Sequence, residues 1–123
     1  MPKRKKVIIV DDDSRYREPL KEFLIRDADV ETFIDPDAFA EKMTAPKDLQ
    51  DVYLIVLDYC FDSFNAFDKD LVTYLREDLK YKGHLVLWSL EDKIPSKFSK
   101  NFDAILPKKL LSLSEIEQCL ERS

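Results

Sequence analysis

Polar or charged side chains follow four apolar runs of this sequence, each at the point where the run ends. The first run, residues 7–10, leads directly into acidic residues, and the longest, residues 52–57, also ends in an acid. Two later runs lead to a hydroxyl and to a lysine. The residues are, in chain order, Asp11, Asp12, Asp58, Ser89 and Lys108. Groups of these types can bind a cation and can accept or hold an anionic group.

The three carboxylates would repel one another if they came together, and a hard divalent cation would relieve that repulsion. Mg²⁺ takes oxygen ligands, keeps several waters, and is usually held by one or two carboxylates together with a phosphate. Asp58 is then the natural nucleophile, since a carboxylate that attacks phosphorus forms an aspartyl phosphate. Lys108 would offer a mobile positive charge to a phosphoryl oxygen, and the Ser89 hydroxyl would donate a hydrogen bond to another. The residue types therefore predict metal-assisted phosphoryl transfer onto Asp58.

Strands and helices alternate along the chain. Continuous aliphatic runs predict strands that are covered on both faces, and apolar residues spaced three and four apart predict helices between them. This pattern predicts an α/β fold with parallel strands and right-handed crossovers. The helix between the last two strands should be short, because Pro95 interrupts it. The predicted strands are residues 7–10, 30–33, 52–57, 84–88 and 104–106.

Capping residues predict where several helices begin and end. Ser14 is predicted to cap the first helix, and Asp35 the second, with Pro36 at the first helical position. Gly83 is predicted to end the helix that follows the third strand. A capping-box pattern at residues 112–115 is typical of the start of a last, amphipathic helix.

A parallel sheet would bring the polar residues together although they are far apart in sequence. All carboxyl ends of its strands lie at one edge, and ligands bind in the crevice outside that edge where the strand order reverses. Asp11, Asp12 and Asp58 would all lie at that edge, together with the hydroxyl and the lysine that follow the other two strands. Asp13, the third acid of its run, is interpreted as a helix-start acid near the amide dipole.

Length and composition predict one small domain. The chain has 123 residues, of which 45% are apolar and 37% charged. It has 1 glycine, so phosphate-binding loops that need several glycines are excluded. The net charge of −5 argues against nucleic acid as a partner, and no apolar run approaches the roughly 18 residues of a membrane span. A cytoplasmic protein is expected, with no membrane partner and with Cys60 and Cys119 as reduced thiols.

At these positions the sequence resembles the receiver domains of two-component response regulators. The resemblance covers residues 5–121. It implies a flavodoxin-like (CheY-like), doubly wound, five-stranded parallel sheet with strand order 2-1-3-4-5 and helices on both faces. One receiver domain would then fill residues 1–123, with no output domain. The matching segments are residues 10–13, 57–59, 88–89 and 106–108.

The resemblance also implies a role for each site residue. Asp58 would accept a phosphoryl group from a histidine kinase or a histidine phosphotransfer protein, and a downstream protein would respond. Ser89 and Lys108 would contact the phosphoryl group. The chain would catalyse only its own phosphorylation and dephosphorylation. The ligands of Mg²⁺, or of Mn²⁺ in its place, would be Asp11, Asp12, Asp58 and the backbone carbonyl of Cys60.

Several positions depart from the receiver pattern. Leu90 stands where alanine or glycine usually follows the hydroxyl residue, and Ile105 occupies the aromatic switch position of the fifth strand. Lys109 replaces the proline that usually follows the lysine, and Asp62 and Ala66 replace a proline and a glycine. The chemistry is therefore expected to be intact, while the surface near the fifth strand, where many receivers dimerise, is altered. Weak homodimerisation on that surface stays open.

Two other functions fit parts of the pattern. A pseudo-receiver would keep the fold and act as a phosphorylation-independent protein-interaction module, which Leu90 and Ile105 favour. A phosphatase of the haloacid-dehalogenase type would need a second aspartate two residues after the nucleophile. Cys60 stands there, and 123 residues leave little room for a substrate cap, so this function is disfavoured.

Overall fold

Five parallel strands form one sheet, in the order β2-β1-β3-β4-β5. The computed structural model describes residues 5–58, 73–89, 102–107, 109 and 112–122. The strands are β1 (Lys5–Val10), β2 (Ala28–Phe33), β3 (Val52–Asp58), β4 (His84–Ser89) and β5 (Ala104–Pro107). The helices are α1 (Ser14–Leu24), α2 (Pro36–Lys42) and α3 (Ser112–Arg122), with a 3-10 turn at Pro46–Leu49 and a π-helical turn at Tyr74–Asp78. The predicted fold class and strand order are confirmed.

Two hydrophobic cores, one on each face of the sheet, explain why the central strands are apolar throughout. Val7 and Ile9 of β1 face the core that α1 and α3 cover. Ile8 and Val10 face the opposite core, which α2 and the π-helical turn cover. All four side chains are at most 2% exposed. Because side chains alternate across a strand, only a strand that is covered on both sides needs apolar residues at every position.

The residue that caps the first helix is Asp13, one residue before the predicted cap, Ser14. Asp13, with φ −100° and ψ 108°, is the cap of α1, and Ser14 is already helical. The Asp13 carboxylate accepts a hydrogen bond from the backbone N–H of Arg15 at 3.0 Å. The prediction that Ser14 is the cap is therefore wrong, because aspartate and serine cap equally well and the chain turns helical directly after Asp13. The interpretation of Asp13 as a helix-start acid is confirmed.

The second helix begins as predicted. Asp35 is extended, and its side chain accepts a hydrogen bond from the Ala38 N–H at 2.7 Å. Pro36 is the first helical residue, where its missing N–H leaves no hydrogen bond unmade.

The segment after the π-helical turn ends differently from the prediction. Lys80, not Gly83, takes the left-handed conformation, with a φ of 54°. Gly83 has a different role, because a Cβ there would lie 2.2 Å from the hydroxyl of Tyr81. The glycine therefore lets the buried Tyr81 side chain pack against the backbone in front of β4.

Some predictions concern residues outside the described ranges. They include the predicted short helix between the last two strands, at residues 91–101, and residues 71–72 of the predicted helix that follows the third strand. Among the helices described, none has both the length and the apolar character that crossing a membrane requires.

Candidate functional site

The ends of β1 and β3 place acidic residues side by side. Val10 pairs with Leu57 in the parallel register of the two strands. The next residue of each strand is an aspartate, Asp11 after Val10 and Asp58 after Leu57. The two carboxylates therefore leave the sheet at the same edge, between its two central strands.

Three carboxylates converge at this edge. One oxygen each from Asp11, Asp12 and Asp58 lies within 4.8 Å of the others. The three side chains differ in environment, since Asp11 is only 2% exposed, Asp58 is half-buried and Asp12 faces solvent. At such separations like charges repel strongly, more so where burial lowers the effective dielectric constant. The arrangement is one that a cation would stabilise.

Hydrogen bonds to both the backbone and the side chain of Asp11 hold this residue in place. Its N–H donates to the carbonyl of Phe33 at 3.0 Å, which continues the pairing of β1 with β2 by one residue. Its carboxylate Oδ1 accepts from the Asp13 N–H at 2.9 Å. Its carbonyl accepts from Nη1 of Arg17 at 2.9 Å. The buried carboxylate is thus oriented before any ligand binds.

Asp13, the third acid of the run, caps a helix and is not part of the carboxylate cluster. The Asp13 carboxylate caps α1 and pairs with the Arg15 guanidinium, at 2.8 Å from Nη2 to Oδ2. Its oxygens are committed to the start of the helix, and it does not belong to the carboxylate cluster. Of three consecutive aspartates, the fold therefore directs Asp11 and Asp12 toward Asp58.

The other two predicted strand-end residues differ in how far the structure describes them. Ser89 is the last residue of β4, and its register partner on β5 is Pro107. Trp88, the residue before it, is the register partner of Asp58, so the backbone of Ser89 lies at the edge that carries the acids. Lys108 follows Pro107 in sequence but lies outside the described residues, as does Cys60.

Trp88 links the ends of β4 and β5. Its indole Nε1 donates a hydrogen bond to the carbonyl of Pro107 at 2.9 Å. The ring is buried and meets the Tyr16 ring edge-on, with centroids 5.7 Å apart. Trp88 is therefore a packing residue of the core, and its hydrogen bond also fixes Pro107, the residue that precedes Lys108.

Sequence reasoning missed the contribution of Arg17. A cation in the first half of a helix is unfavourable for the helix dipole, so the residue would ordinarily be interpreted as part of a solvated surface. Its guanidinium instead lies against the strand end, where Nη1 reaches the Asp11 carbonyl and Nε reaches the Glu18 carboxylate at 3.2 Å. The run of acids before the helix is the one sequence signal that could have indicated a nearby cation.

The donor set fits Mg²⁺. Hard divalent ions bind carboxylate oxygens, and Mg²⁺ needs only one or two of them because it keeps several waters. Asp11, Asp12 and Asp58 would supply such oxygens from two adjacent strand ends, with one buried and oriented carboxylate among them. Among the residues that the structure describes, the cluster consists of carboxylates alone, whereas a softer metal would favour thiolate or imidazole ligands.

Comparisons of the sequence with known protein families and with curated proteins find no match. Comparison of the structure finds receiver domains. TrrA of Thermotoga maritima, a response regulator in complex with Mg²⁺ and a beryllium fluoride, is 19% identical, with 96% of this chain and 97% of that chain covered and a TM-score of 0.75. The beryllium fluoride-activated DrrB receiver domain is 21% identical, with 97% and 99% covered and a TM-score of 0.72.

A third structure, the signal receiver domain of a response regulator NarL from Mycobacterium tuberculosis, is 17% identical. The structural match covers 99% of this chain and 100% of that chain, with a TM-score of 0.71. The chain therefore has the fold of response-regulator receiver domains over nearly its whole length.

Proposed function

We propose that this chain is a response-regulator receiver that accepts a phosphoryl group on Asp58 in a reaction that depends on Mg²⁺ or Mn²⁺. The observation that carries the proposal is the carboxylate cluster of Asp11, Asp12 and Asp58 at the carboxyl edge of a receiver-like sheet. Residues 1–123 would act as one receiver domain. The donor would be a histidine kinase or a histidine phosphotransfer protein, and an unidentified downstream protein would bind the product.

Asp58 would act as the nucleophile. Its carboxylate oxygen would form a bond to phosphorus while the P–N bond of a donor phosphohistidine breaks, and the leaving imidazole would take up a proton. Asp58 suits this role because it ends the central strand β3 and is half-buried, so that one oxygen can face an incoming phosphoryl group. A bound Mg²⁺ would neutralise charge on the transferring group.

The neighbouring residues would hold the site ready. Asp11 and Asp12 would bind the metal, together with Asp58 and the backbone carbonyl of Cys60. The hydrogen bonds to Asp11 fix its carboxylate before the donor arrives. Ser89 would donate a hydrogen bond to one phosphoryl oxygen, and Lys108 would place its ammonium near another. The site would work in the cytoplasm, where phosphoryl donors of this kind act.

Labelling by a small phosphodonor tests the proposal. Wild-type protein incubated with acetyl phosphate and Mg²⁺ should incorporate label, and removal of the metal with EDTA should abolish it. Asp58→Asn should take up no label. Asp13→Asn is the matched control, because asparagine caps a helix as well as aspartate and Asp13 lies outside the cluster. Equal labelling of wild type and Asp58→Asn would overturn the assignment.

A pseudo-receiver is the second candidate, and the exposure of Ile105 favours it. Ile105 is 41% exposed on the edge strand β5, at the position where receivers carry an aromatic switch residue. An exposed isoleucine there suits a constitutive contact with another protein or with a second copy of the chain. A binding partner whose affinity is the same with and without beryllium fluoride and Mg²⁺ would favour this function over the first.

A further inference from the structure

A pocket opens at the edge of the sheet opposite the acids, where β3 and β4 begin. Its volume is ≈ 390 Å³. One wall is the segment from Leu79 to Gly83, and the other is the 3-10 turn with the residue after it, Gln50. Since Val52 and Asp58 are the two ends of β3, a strand rise of about 3.3 Å per residue places this pocket about 20 Å from the carboxylate cluster.

The charged residues that line this pocket are all basic. They are Lys47, Lys80 and Lys82. Among the residues that the structure describes, none forms an ion pair with any of these three ammonium groups. The chain as a whole carries a net charge of −5, so this is a local concentration of positive charge on an acidic protein.

The acids of the same segments do not line the pocket. Asp48 lies within the 3-10 turn, but its Oδ2 accepts hydrogen bonds from the N–H groups of Thr44 and Ala45, both at 3.0 Å. Its carboxylate is therefore turned back toward the start of its own turn. Asp51 and Asp78 stand next to lining residues in sequence and are not part of the lining. Among the described residues that line the pocket, the charged ones are therefore lysines only.

One wall of the pocket is built rigidly. The Arg76 guanidinium donates from Nη1 to the carbonyls of Tyr81 and Gly83, each at 2.9 Å, and Nη2 pairs with Asp103 at 3.1 Å. The Tyr81 N–H also donates to the carbonyl of Leu75 at 2.9 Å. A preformed wall binds a ligand at a smaller entropy cost than a mobile loop does.

The backbone conformation of Lys80 is a further unusual feature of that wall. Its φ of 54° lies in the left-handed region, where glycine or asparagine is more stable than a lysine. Residues held in such conformations concentrate at sites with a function. Here the strained residue carries one of the three ammonium groups at the pocket.

The floor of the pocket is apolar. It is formed by Leu49, Val52 and Leu79, with the buried Tyr81 beside them. Burial raises the pKa of Tyr81, so its hydroxyl stays neutral and adds no negative charge. A volume of ≈ 390 Å³ falls within the range of about 300–1,000 Å³ that is usual for small-ligand sites.

We propose that this pocket binds a small organic phosphate of about nucleotide size. The three ammonium groups would bind the phosphate oxygens as charge-assisted hydrogen-bond donors, and the apolar floor would contact the body of the molecule. This site is separate from Asp58, and its ligand does not depend on phosphorylation of the chain.

Calorimetric titration with ADP in the presence of EDTA tests the proposal. ADP carries both a diphosphate and a flat ring that can contact the apolar floor. Pyrophosphate tests whether the phosphate groups alone are sufficient, and citrate tests whether carboxylates of similar charge can replace them. Wild-type protein should bind ADP with a Kd below about 1 mM. Lys47→Gln/Lys82→Gln should weaken binding by about tenfold or more, because each lost ammonium removes a charge-assisted hydrogen bond.

Two further variants complete the design. Lys80→Gly should weaken ADP binding without lowering stability, since glycine accepts the left-handed conformation, and this separates loss of charge from misfolding. Lys21→Gln/Arg26→Gln on and beside α1 removes the same charge elsewhere and should leave the Kd within about twofold. Asp58→Asn should bind ADP like the wild type, so a failure of the phosphorylation assay leaves this test intact.

The results that overturn the proposal are specific. The proposal is overturned if ADP gives no heat of binding up to about 1 mM, or if citrate binds more tightly than ADP and pyrophosphate. It is also overturned if Lys47→Gln/Lys82→Gln and Lys21→Gln/Arg26→Gln weaken ADP binding equally. Binding that disappears in Asp58→Asn would also overturn it, because the ligand would then occupy the other edge of the sheet.

Discussion

Replacing Asp58 by asparagine should stabilise the metal-free protein. The three carboxylate oxygens lie within 4.8 Å of one another. At that distance two unit charges repel by about 0.9 kcal/mol in bulk water and by about 3.5 kcal/mol at an effective dielectric constant of about 20. Asp11 is buried, so its repulsion by Asp58 exceeds the water value, while solvent screens Asp12. We expect Asp58→Asn to raise the free energy of unfolding by about 1 kcal/mol at low salt.

In the presence of Mg²⁺, the wild type should become more stable than Asp58→Asn. A ligand that binds only the folded state stabilises it by about 2.7 kcal/mol at a hundredfold excess over its Kd. The wild type should gain this stability, and Asp58→Asn should gain much less because it has lost one carboxylate of the cluster. Urea unfolding at pH 7 in EDTA and in Mg²⁺ measures both effects.

Asp13→Asn is again the control, because it removes one negative charge nearby but keeps the helix cap. Its free energy of unfolding should change by less than about 0.5 kcal/mol in EDTA, and its response to Mg²⁺ should equal that of the wild type. The reasoning is refuted if Asp58→Asn is less stable than the wild type in EDTA, or if Mg²⁺ stabilises both proteins equally.

Three other changes test the packing and the electrostatics that hold the sheet. Gly83→Ala should lower the free energy of unfolding by about 1–3 kcal/mol, because the new Cβ would lie 2.2 Å from the Tyr81 hydroxyl. Urea unfolding measures this change, and an unchanged or higher stability would contradict the expectation. Tyr74→Phe should cost about 1 kcal/mol in the same assay, because it removes a buried hydrogen bond of 2.9 Å to the Met43 carbonyl; no loss would mean that the bond contributes nothing. Burial alone would raise the pKa of Glu31, but hydrogen bonds from two lysines outweigh it and lower the pKa. Glu31 therefore stabilises the fold above the pKa of the unfolded chain and loses that contribution as the pH falls through the folded pKa. Unfolding measured from about pH 7 to about pH 3 should show a smaller loss of stability for Glu31→Gln than for the wild type, and equal losses would argue against it.

The strands and the convergence of the acids could be predicted because they depend on strong local signals. The runs around Ile8 and Ile55 are apolar at every position, which only a doubly covered strand requires. Each run ends in an aspartate, and parallel pairing brings such ends to one edge. The strand order itself came from the resemblance to receiver domains, because periodicity does not say which strands are neighbours.

The details that could not be predicted depend on neighbours that are distant in sequence. Aspartate and serine are equivalent caps, so the sequence did not distinguish Asp13 from Ser14; the backbone of Asp13 is fixed by its bond to the Asp11 carboxylate. Gly83, the single glycine, was predicted to end the helix because glycine readily takes the left-handed conformation. In the structure Lys80 takes that conformation, and Gly83 is needed where the Tyr81 ring approaches the backbone. Both outcomes follow from tertiary packing, which overrides local preference.

Peptide mapping of the phosphorylated protein tests the central claim most directly. Wild-type protein is incubated with acetyl phosphate and Mg²⁺, reduced with borohydride to trap the acyl phosphate, digested and analysed by mass spectrometry. We predict a single modified residue, Asp58, which is absent when EDTA replaces Mg²⁺. Modification at Asp12 or His84 in place of Asp58, or no modification of the folded protein in Mg²⁺, would contradict the account.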